Sequence, residues 1–251
     1  MTWLAEFELF NFALVLLGAV FAGFVTGFAG FGTGLVASGL WLHAMPAANV
    51  PPLVLLVSLG AQLMSMNTLA IGLRRGAAFA SPLVVGGAIG IPLGVLTLTN
   101  MAPGNLKLSI GFLMVAYVAW QLAGPRRATA NVLRLPSTEL MAGFGGGFLG
   151  GFAGIPGPLP LIFLQLRGGP RDAQRAAYLP FSLAMLCVGC AAFVYSGHLD
   201  LDVALLAAAC LPATLIGALS GSKVFLGVTE EQFRKLLCAF LLVAGLSLIA
   251  W

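Results

Sequence analysis

The chain has 251 residues, of which 60% are hydrophobic and only 8% are charged. Soluble domains average about 45–50% apolar and about 25% charged residues, so this composition excludes an ordinary soluble enzyme or binding module and predicts a polytopic membrane protein. A net charge of +4 would suggest a nucleic-acid partner in a soluble domain. In a membrane protein, Lys and Arg collect in cytoplasmic loops instead, so we expect the lipid bilayer as a partner and no nucleic acid.

The first apolar segment, residues 9–42, contains no Asp, Glu, Lys or Arg. A helix needs about 20 apolar residues to cross the hydrocarbon of a bilayer, so these 34 residues are too many for one crossing and few for two. A glycine-rich stretch from Gly23 to Gly34 lies in the middle. Glycine supplies the backbone dihedrals that a break requires and lets helices approach closely. We therefore predict a hairpin of two shortened helices, broken near residues 30–34.

Three conventional membrane spans are predicted after this hairpin. They cover residues 49–73, 79–99 and 105–122, and the first of them ends at Arg74 and Arg75. A polar connection with three arginines and two prolines follows at residues 124–137. We interpret it as a cytoplasmic linker between two halves of the chain.

The second half repeats the plan of the first. A hairpin is predicted over residues 138–166 with a break at residues 154–158, followed by three spans over residues 173–196, 201–225 and 233–251. The glycine-rich stretches that begin at Gly23 and Gly147 align without a gap at an offset of 124 residues. Residues 1–123 and 138–251 are therefore predicted to be two repeats.

The two repeats are predicted to have opposite orientations in the membrane. If each hairpin enters and leaves on the same side, the three further crossings of the first half place the start of the second half on the opposite side of the membrane. The predicted fold class is an all-α polytopic membrane protein with two inverted-topology repeats, each a broken-helix hairpin plus three transmembrane helices. With Arg74 and Arg75 in the cytoplasm, eleven of the twelve Lys and Arg lie inside, as the positive-inside rule favours. Both termini then lie outside.

These features resemble the sulfite exporter TauE/SafE family of membrane permeases. The resemblance rests on a Gly-x3-Gly-Phe-Ala-Gly motif at residues 23–30 and again at residues 147–154, and on a Gly-x3-Gly pair late in each half, at Gly90 and Gly94 and at Gly217 and Gly221. It covers essentially the whole chain. It implies a multi-pass protein of the bacterial cytoplasmic (inner) membrane that moves small sulfur-containing anions, such as sulfite or organosulfonates, often outward.

The two helix breaks are the predicted substrate site. Transporters with inverted repeats and broken helices bind substrate near the midplane between the repeats, and the free N–H groups at the start of a half-helix suit an anion. The predicted binding residues of the breaks are Gly30, Phe31, Gly32, Thr33, Gly34, Gly154, Ile155, Pro156 and Gly157. The nearest polar side chains on the following helices are Ser58, Gln62, Tyr178 and Ser182.

We expect alternating access around this site, with no catalytic residue, no metal and no cofactor. The nearest cation is Arg175, which is predicted to anchor the chain at the cytoplasmic surface, so amides and hydroxyls would bind the anion. A permease for a small carboxylate or a metal ion is the alternative, although no Met, His or carboxylate cluster occurs in both halves. An intramembrane enzyme is less favoured, because His43 and His198 have no nucleophile at suitable spacing. The oligomeric state is left open, with a homodimer as one option.

Overall fold

The computed structural model describes residues 8–29, 32–64, 66–123, 136–168, 171–224 and 230–250. These residues form ten α-helices and no strand. The helices are α1 (Leu9–Ala29), α2 (Thr33–Ala44), α3 (Val50–Met64), α4 (Met66–Thr99), α5 (Pro103–Ala123), α6 (Pro136–Ala153), α7 (Pro158–Arg167), α8 (Arg171–Tyr195), α9 (Leu201–Val224) and α10 (Glu230–Ala250). The predicted all-α class is confirmed.

Five helices in the described part of the chain are long and apolar enough to cross a membrane. They contain the candidate spans Leu9–Gly27, Ala80–Thr99, Pro103–Ala123, Ala176–Tyr195 and Leu201–Ser222. Large apolar side chains such as Leu17, Ile89 and Ile216 are exposed on their outer surfaces. So many exposed apolar side chains are typical of a surface that faces lipid, which agrees with a polytopic membrane protein.

Both predicted helix breaks are present. α1 ends at Ala29 and α2 begins at Thr33, while α6 ends at Ala153 and α7 begins at Pro158; Gly30 and Phe31 lie outside the described residues. Gly32 has a φ of 102° and Gly154 a φ of 73°, a left-handed conformation that glycine adopts without steric cost. One detail was wrong, because α1, with 21 residues, is not shortened.

In each hairpin, a contact between the two helices holds together the parts that lie away from the break. In the first hairpin, Trp41 Nε1 donates a hydrogen bond to the Val15 carbonyl oxygen at 2.9 Å. In the second, Arg167 in the last turn of α7 forms an ion pair with Glu139 in the first turn of α6. The second hairpin therefore begins and ends at the same end of the helix bundle.

The predicted helix boundary at Arg74 and Arg75 was wrong. α3 ends at Met64, and α4 runs from Met66 through both arginines to Thr99, a length of 34 residues. At about 1.5 Å per residue, α4 is longer than the hydrocarbon of a bilayer is thick. Within the residues whose side chains are described, its part from Ala80 to Thr99 is a candidate span. Arginine is a good helix former, so the pair interrupts the apolar sequence without ending the helix.

The other predicted spans correspond to α5, α8, α9 and α10, with ends that differ by a few residues. Most of the predicted linker, residues 124–135, lies outside the described residues. Its last two residues belong to α6, which begins at Pro136. Proline is favoured in the first turn of a helix because the amide that it lacks would have no partner there.

Glycines hold two helix pairs in close contact, α1 with α9 and α4 with α6. A Cβ added to any of these glycines would collide with a carbonyl oxygen of the facing helix. The facing pairs are Gly23 with Thr214, Gly27 with Ala218, Gly217 with Val20 and Gly221 with Phe24 in the first interface, and Gly147 with Gly87, Gly151 with Ile91, Gly90 with Phe144 and Gly94 with Phe148 in the second.

The two interfaces use corresponding positions of the two halves. Gly23 and Gly147 are 124 residues apart, and the residues they face, Thr214 and Gly87, are 127 residues apart. In the remaining facing pairs, the residues on α1 and α6 are again 124 positions apart, and those on α4 and α9 are again 127 positions apart. Each half therefore contributes its first helix to one interface and its long fourth helix to the other.

Gly147→Ala should lower the stability of the folded protein, because the added methyl group would force α6 away from the Gly87 carbonyl. Overpacking of this kind costs about 1–3 kcal/mol. We expect a lower unfolding temperature in detergent. Gly104→Ala is the control, since nothing lies within 4 Å of a Cβ at Gly104. Equal unfolding temperatures for the two variants would contradict the importance of this contact.

Candidate functional site

The two helix breaks meet inside the bundle. A Cβ on Gly34, in the first turn of α2, would lie 3.1 Å from Ile155 Cγ1 of the second break and 3.2 Å from Val54 Cγ1 of α3. A Cβ on Gly154 would lie 2.5 Å from the Pro51 carbonyl oxygen at the start of α3. Glycine at these two positions therefore lets both breaks pack against α3 and lets the start of α2 reach the second break.

A cavity of about 410 Å³ lies where the breaks meet. Its lining contains all the predicted site residues that the structure describes, namely Gly32, Thr33, Gly34, Ser58, Gln62, Gly154, Ile155, Pro156, Gly157, Tyr178 and Ser182. The other two, Gly30 and Phe31, lie outside the described residues. The fold thus brings residues from distant parts of the chain to one place.

The lining contains four further hydroxyl-bearing residues that were not predicted from the sequence. They are Thr26 of α1, Tyr117 of α5, and Thr214 and Ser222 of α9. Thr26 lies within the first glycine motif, and Thr214 and Ser222 flank the glycine pair that packs against α1. These three could have been found by assuming that the paired glycine motifs face each other. Nothing in the sequence around Tyr117 indicates its position.

Hydrogen bonds join α3 to α8 at the cavity. Ser182 Oγ donates to Gln62 Oε1 at 3.2 Å, and Gln62 Nε2 donates to the Leu179 carbonyl oxygen at 3.4 Å. Ser182 has 8% of its surface exposed, so its hydroxyl needs this partner. The bonds connect the two halves of the chain directly.

A second pair of hydroxyls connects α1 to α2. Thr26 Oγ1 donates to the Ala22 carbonyl oxygen at 2.8 Å, and Thr26 Oγ1 and Thr33 Oγ1 are 2.5 Å apart. Because the Thr26 proton is directed to Ala22, Thr33 is the donor in this pair. The bond crosses the first helix break and places the Thr33 oxygen at the cavity wall.

The start of α2 contributes residues with amides that lack an intrahelical acceptor to the cavity wall. The Val36 amide bonds the Gly32 carbonyl at 3.2 Å, as expected when Gly32 is the N-cap. The amides of Thr33, Gly34 and Leu35 precede it and have no acceptor within the helix, and all three residues line the cavity. Such amides carry partial positive charge and favour an anion.

The lining contains polar groups within a mostly apolar surface, and none of its described residues is charged. The described residues that line the cavity include no Asp, Glu, Lys, Arg or His, and the side chain of Arg175 lies outside the described part of the chain. Neither His43 nor His198 belongs to the lining. His43 bonds Ser247 at 3.0 Å, and His198 bonds the carbonyl of Ser196 at 3.1 Å. Backbone amides, hydroxyls and the Gln62 side-chain amide are thus the described groups that could bind an anion here.

No candidate metal centre occurs within the residues that the structure describes, where no three His, Cys, Asp or Glu residues lie together. Cys187 and Cys190, which are three residues apart on α8, are exposed and half-buried respectively and form no disulfide.

Comparison with known proteins identifies one family. The family model described as Sulfite exporter TauE/SafE matches residues 15–248, which is nearly the whole chain. Nothing matches the chain among curated proteins or among solved structures. The matched region contains both glycine motifs and all the residues that line the cavity.

Gln62→Leu and Ser182→Ala should each lower thermal stability in detergent, and the double variant should lose less than the sum of the two. The difference should be about 0.5–1.5 kcal/mol, because both single variants remove the same hydrogen bond. Thr97→Ala, which removes an exposed bond to Leu93, is the control and should add fully to Ser182→Ala. Full additivity of Gln62→Leu and Ser182→Ala would show that the two side chains do not interact.

Proposed function

Because the chain belongs to the sulfite exporter TauE/SafE family, whose members are membrane transporters and not enzymes, we propose that it exports a small sulfur-containing anion across the bacterial inner membrane. Sulfite and organosulfonates are the proposed substrates. The observation that carries the proposal is the cavity at the two helix breaks, with its amides and hydroxyls.

The size and chemistry of the cavity support an anion of this kind. A volume of about 410 Å³ lies within the range of small-molecule sites, about 300–1,000 Å³. The amides of Thr33, Gly34 and Leu35 carry the partial positive charge that an oxyanion requires. Hydroxyls of Ser58, Tyr178 and other lining residues can rotate to donate to the same group. We propose that all thirteen predicted site residues, including Gly30 and Phe31, form the substrate site.

Alternating access is the proposed mechanism. In transporters with inverted repeats, the two repeats move against each other around a fixed central site. The corresponding glycine interfaces, α1 with α9 and α4 with α6, support such repeats here because each uses the same positions of opposite halves. Exchanging the conformations of the two halves would then move access from one side of the membrane to the other.

The position of the cavity supports loading from the cytoplasm. Its lining residues on α1, α3, α5 and α9 all lie in the second half of their helices. In the orientation favoured by the basic residues, these four helices run toward the cytoplasm, and both termini lie outside. The described cavity would therefore lie in the cytoplasmic half of the protein, where an exporter takes up its substrate.

A small carboxylate is the second candidate substrate. Carboxylates and sulfonates accept hydrogen bonds from the same amides and hydroxyls, and the neutral lining does not distinguish them by charge.

Purified protein in proteoliposomes should carry radiolabelled sulfite or methanesulfonate faster than protein-free vesicles do. Gly34→Leu and Gly154→Leu should each lower this flux at least tenfold, an estimate that corresponds to about 1.4 kcal/mol or more. The first substitution would fill the space between α2 and Ile155, and the second would strain a φ of 73° and strike the Pro51 carbonyl.

The control for backbone strain is Gly197→Leu, which has the same φ of 73° with nothing within 4 Å of its Cβ. It should transport as the unmodified protein does when equal amounts are inserted. A lack of sulfite and methanesulfonate flux in correctly inserted, unmodified protein would contradict the sulfur-anion assignment. Flux of acetate in that same sample would favour the carboxylate.

A further inference from the structure

The two helix starts at the cavity differ in the number of amides that they offer. α2 begins with Thr33, Gly34 and Leu35, each of which has an N–H group. α7 begins with Pro158, Leu159 and Pro160, and proline has no N–H. The first three residues of α7 therefore offer one N–H group, whereas those of α2 offer three. Pro158 is the residue that corresponds to Gly34 in the first half.

A tyrosine hydroxyl lies where these amides are missing. A Cβ on Gly157, the N-cap of α7, would lie 2.5 Å from Tyr178 Oη, so the hydroxyl is directly against the helix start. Tyr178 also lines the cavity. The residue 124 positions earlier is Val54, which packs against Gly34 at the start of α2. A tyrosine hydroxyl is thus present beside the helix start that has fewer amides, whereas the corresponding residue beside the other start is a valine with no hydroxyl.

We propose that Tyr178 is a specificity-determining donor that replaces the missing amides of α7. The substrate anion would be held on one side by the amides of α2 and on the other by the phenolic O–H of Tyr178. This assignment rests on the proposed function, because it concerns the binding groups of the same transport site.

The surroundings of Tyr178 also indicate the class of substrate. Ile155, Pro156 and Pro158 of the second break give the cavity apolar surface with few donors. An anion with an apolar substituent can place that substituent here, whereas sulfate would bury oxygen atoms without hydrogen-bond partners, which is costly. The site therefore suits a monoanionic organosulfonate, such as methanesulfonate, better than sulfate.

Tyr178→Phe removes the hydroxyl and keeps the ring. The KM for methanesulfonate in proteoliposomes should rise roughly tenfold or more, as expected for loss of a hydrogen bond to a charged group. Tyr195→Phe is the matched control, because Tyr195 is on the same helix but is 96% exposed, and its KM should not change. An unchanged KM in Tyr178→Phe would overturn the proposal.

Pro158→Ala tests the exchange of donors directly, because it restores an amide at the first position of α7. In the Tyr178→Phe background it should lower the KM for methanesulfonate several-fold. Pro212→Ala, which replaces an exposed proline of α9 outside the lining, should have no such effect. A raised KM that Pro158→Ala does not lower, or that both proline variants lower equally, would overturn the assignment.

Binding provides a readout that does not require transport. In detergent, methanesulfonate should raise the unfolding temperature of the unmodified protein more than sulfate does, and Tyr178→Phe should reduce this shift. A larger shift with sulfate would overturn the proposed substrate class. Absence of any flux in the unmodified protein would instead contradict the proposed function, so the two failures are distinguishable.

Discussion

Backbone N–H and C=O groups have no water to bond inside a bilayer, so a broken helix is tolerated there only where it is buried in protein or lines a wet cavity. This constraint determines the arrangement of the chain. Both breaks lie at the same cavity, and at the second one the Gly154 and Ile155 amides still bond the carbonyls of Gly150 and Leu149 at 3.0 and 3.2 Å. Among the described residues, the Thr33, Gly34 and Leu35 amides at the start of α2 have no acceptor within their own helix.

Close glycine packing connects this cavity to the rest of the bundle. Gly23, Gly27 and Thr214 belong both to the α1–α9 interface and to the cavity lining. Because their backbones touch without intervening side chains, a movement of α9 relative to α1 would change the cavity directly. The corresponding interface of α4 with α6 is equally close but contributes no described residue to the lining. Of the two corresponding glycine interfaces, the one between α1 and α9 therefore borders the described cavity, although both halves of the chain line it.

Much of the site could be predicted from the sequence because the glycine motifs repeat in register. Gly32 and Gly154 need a positive φ, which only glycine adopts easily. The glycine-rich stretches, together with the length of the apolar segments, therefore indicate where the breaks lie. The end of α3 could not be predicted in the same way. Hydropathy records where an apolar crossing stops, whereas α4 continues as a helix through Arg74 and Arg75. Tyr117 could not be found either, because its place in the lining depends on how α5 packs.

The central claim is that a substrate anion occupies the cavity at the two breaks. We would replace the four native cysteines, introduce Ala61→Cys in the lining, and measure its modification by N-ethylmaleimide. Gly104→Cys, at a position with open surroundings, is the control. Methanesulfonate should slow modification at position 61 in a saturable manner and leave position 104 unchanged. Modification at position 61 that proceeds at the same rate with and without methanesulfonate would contradict the account.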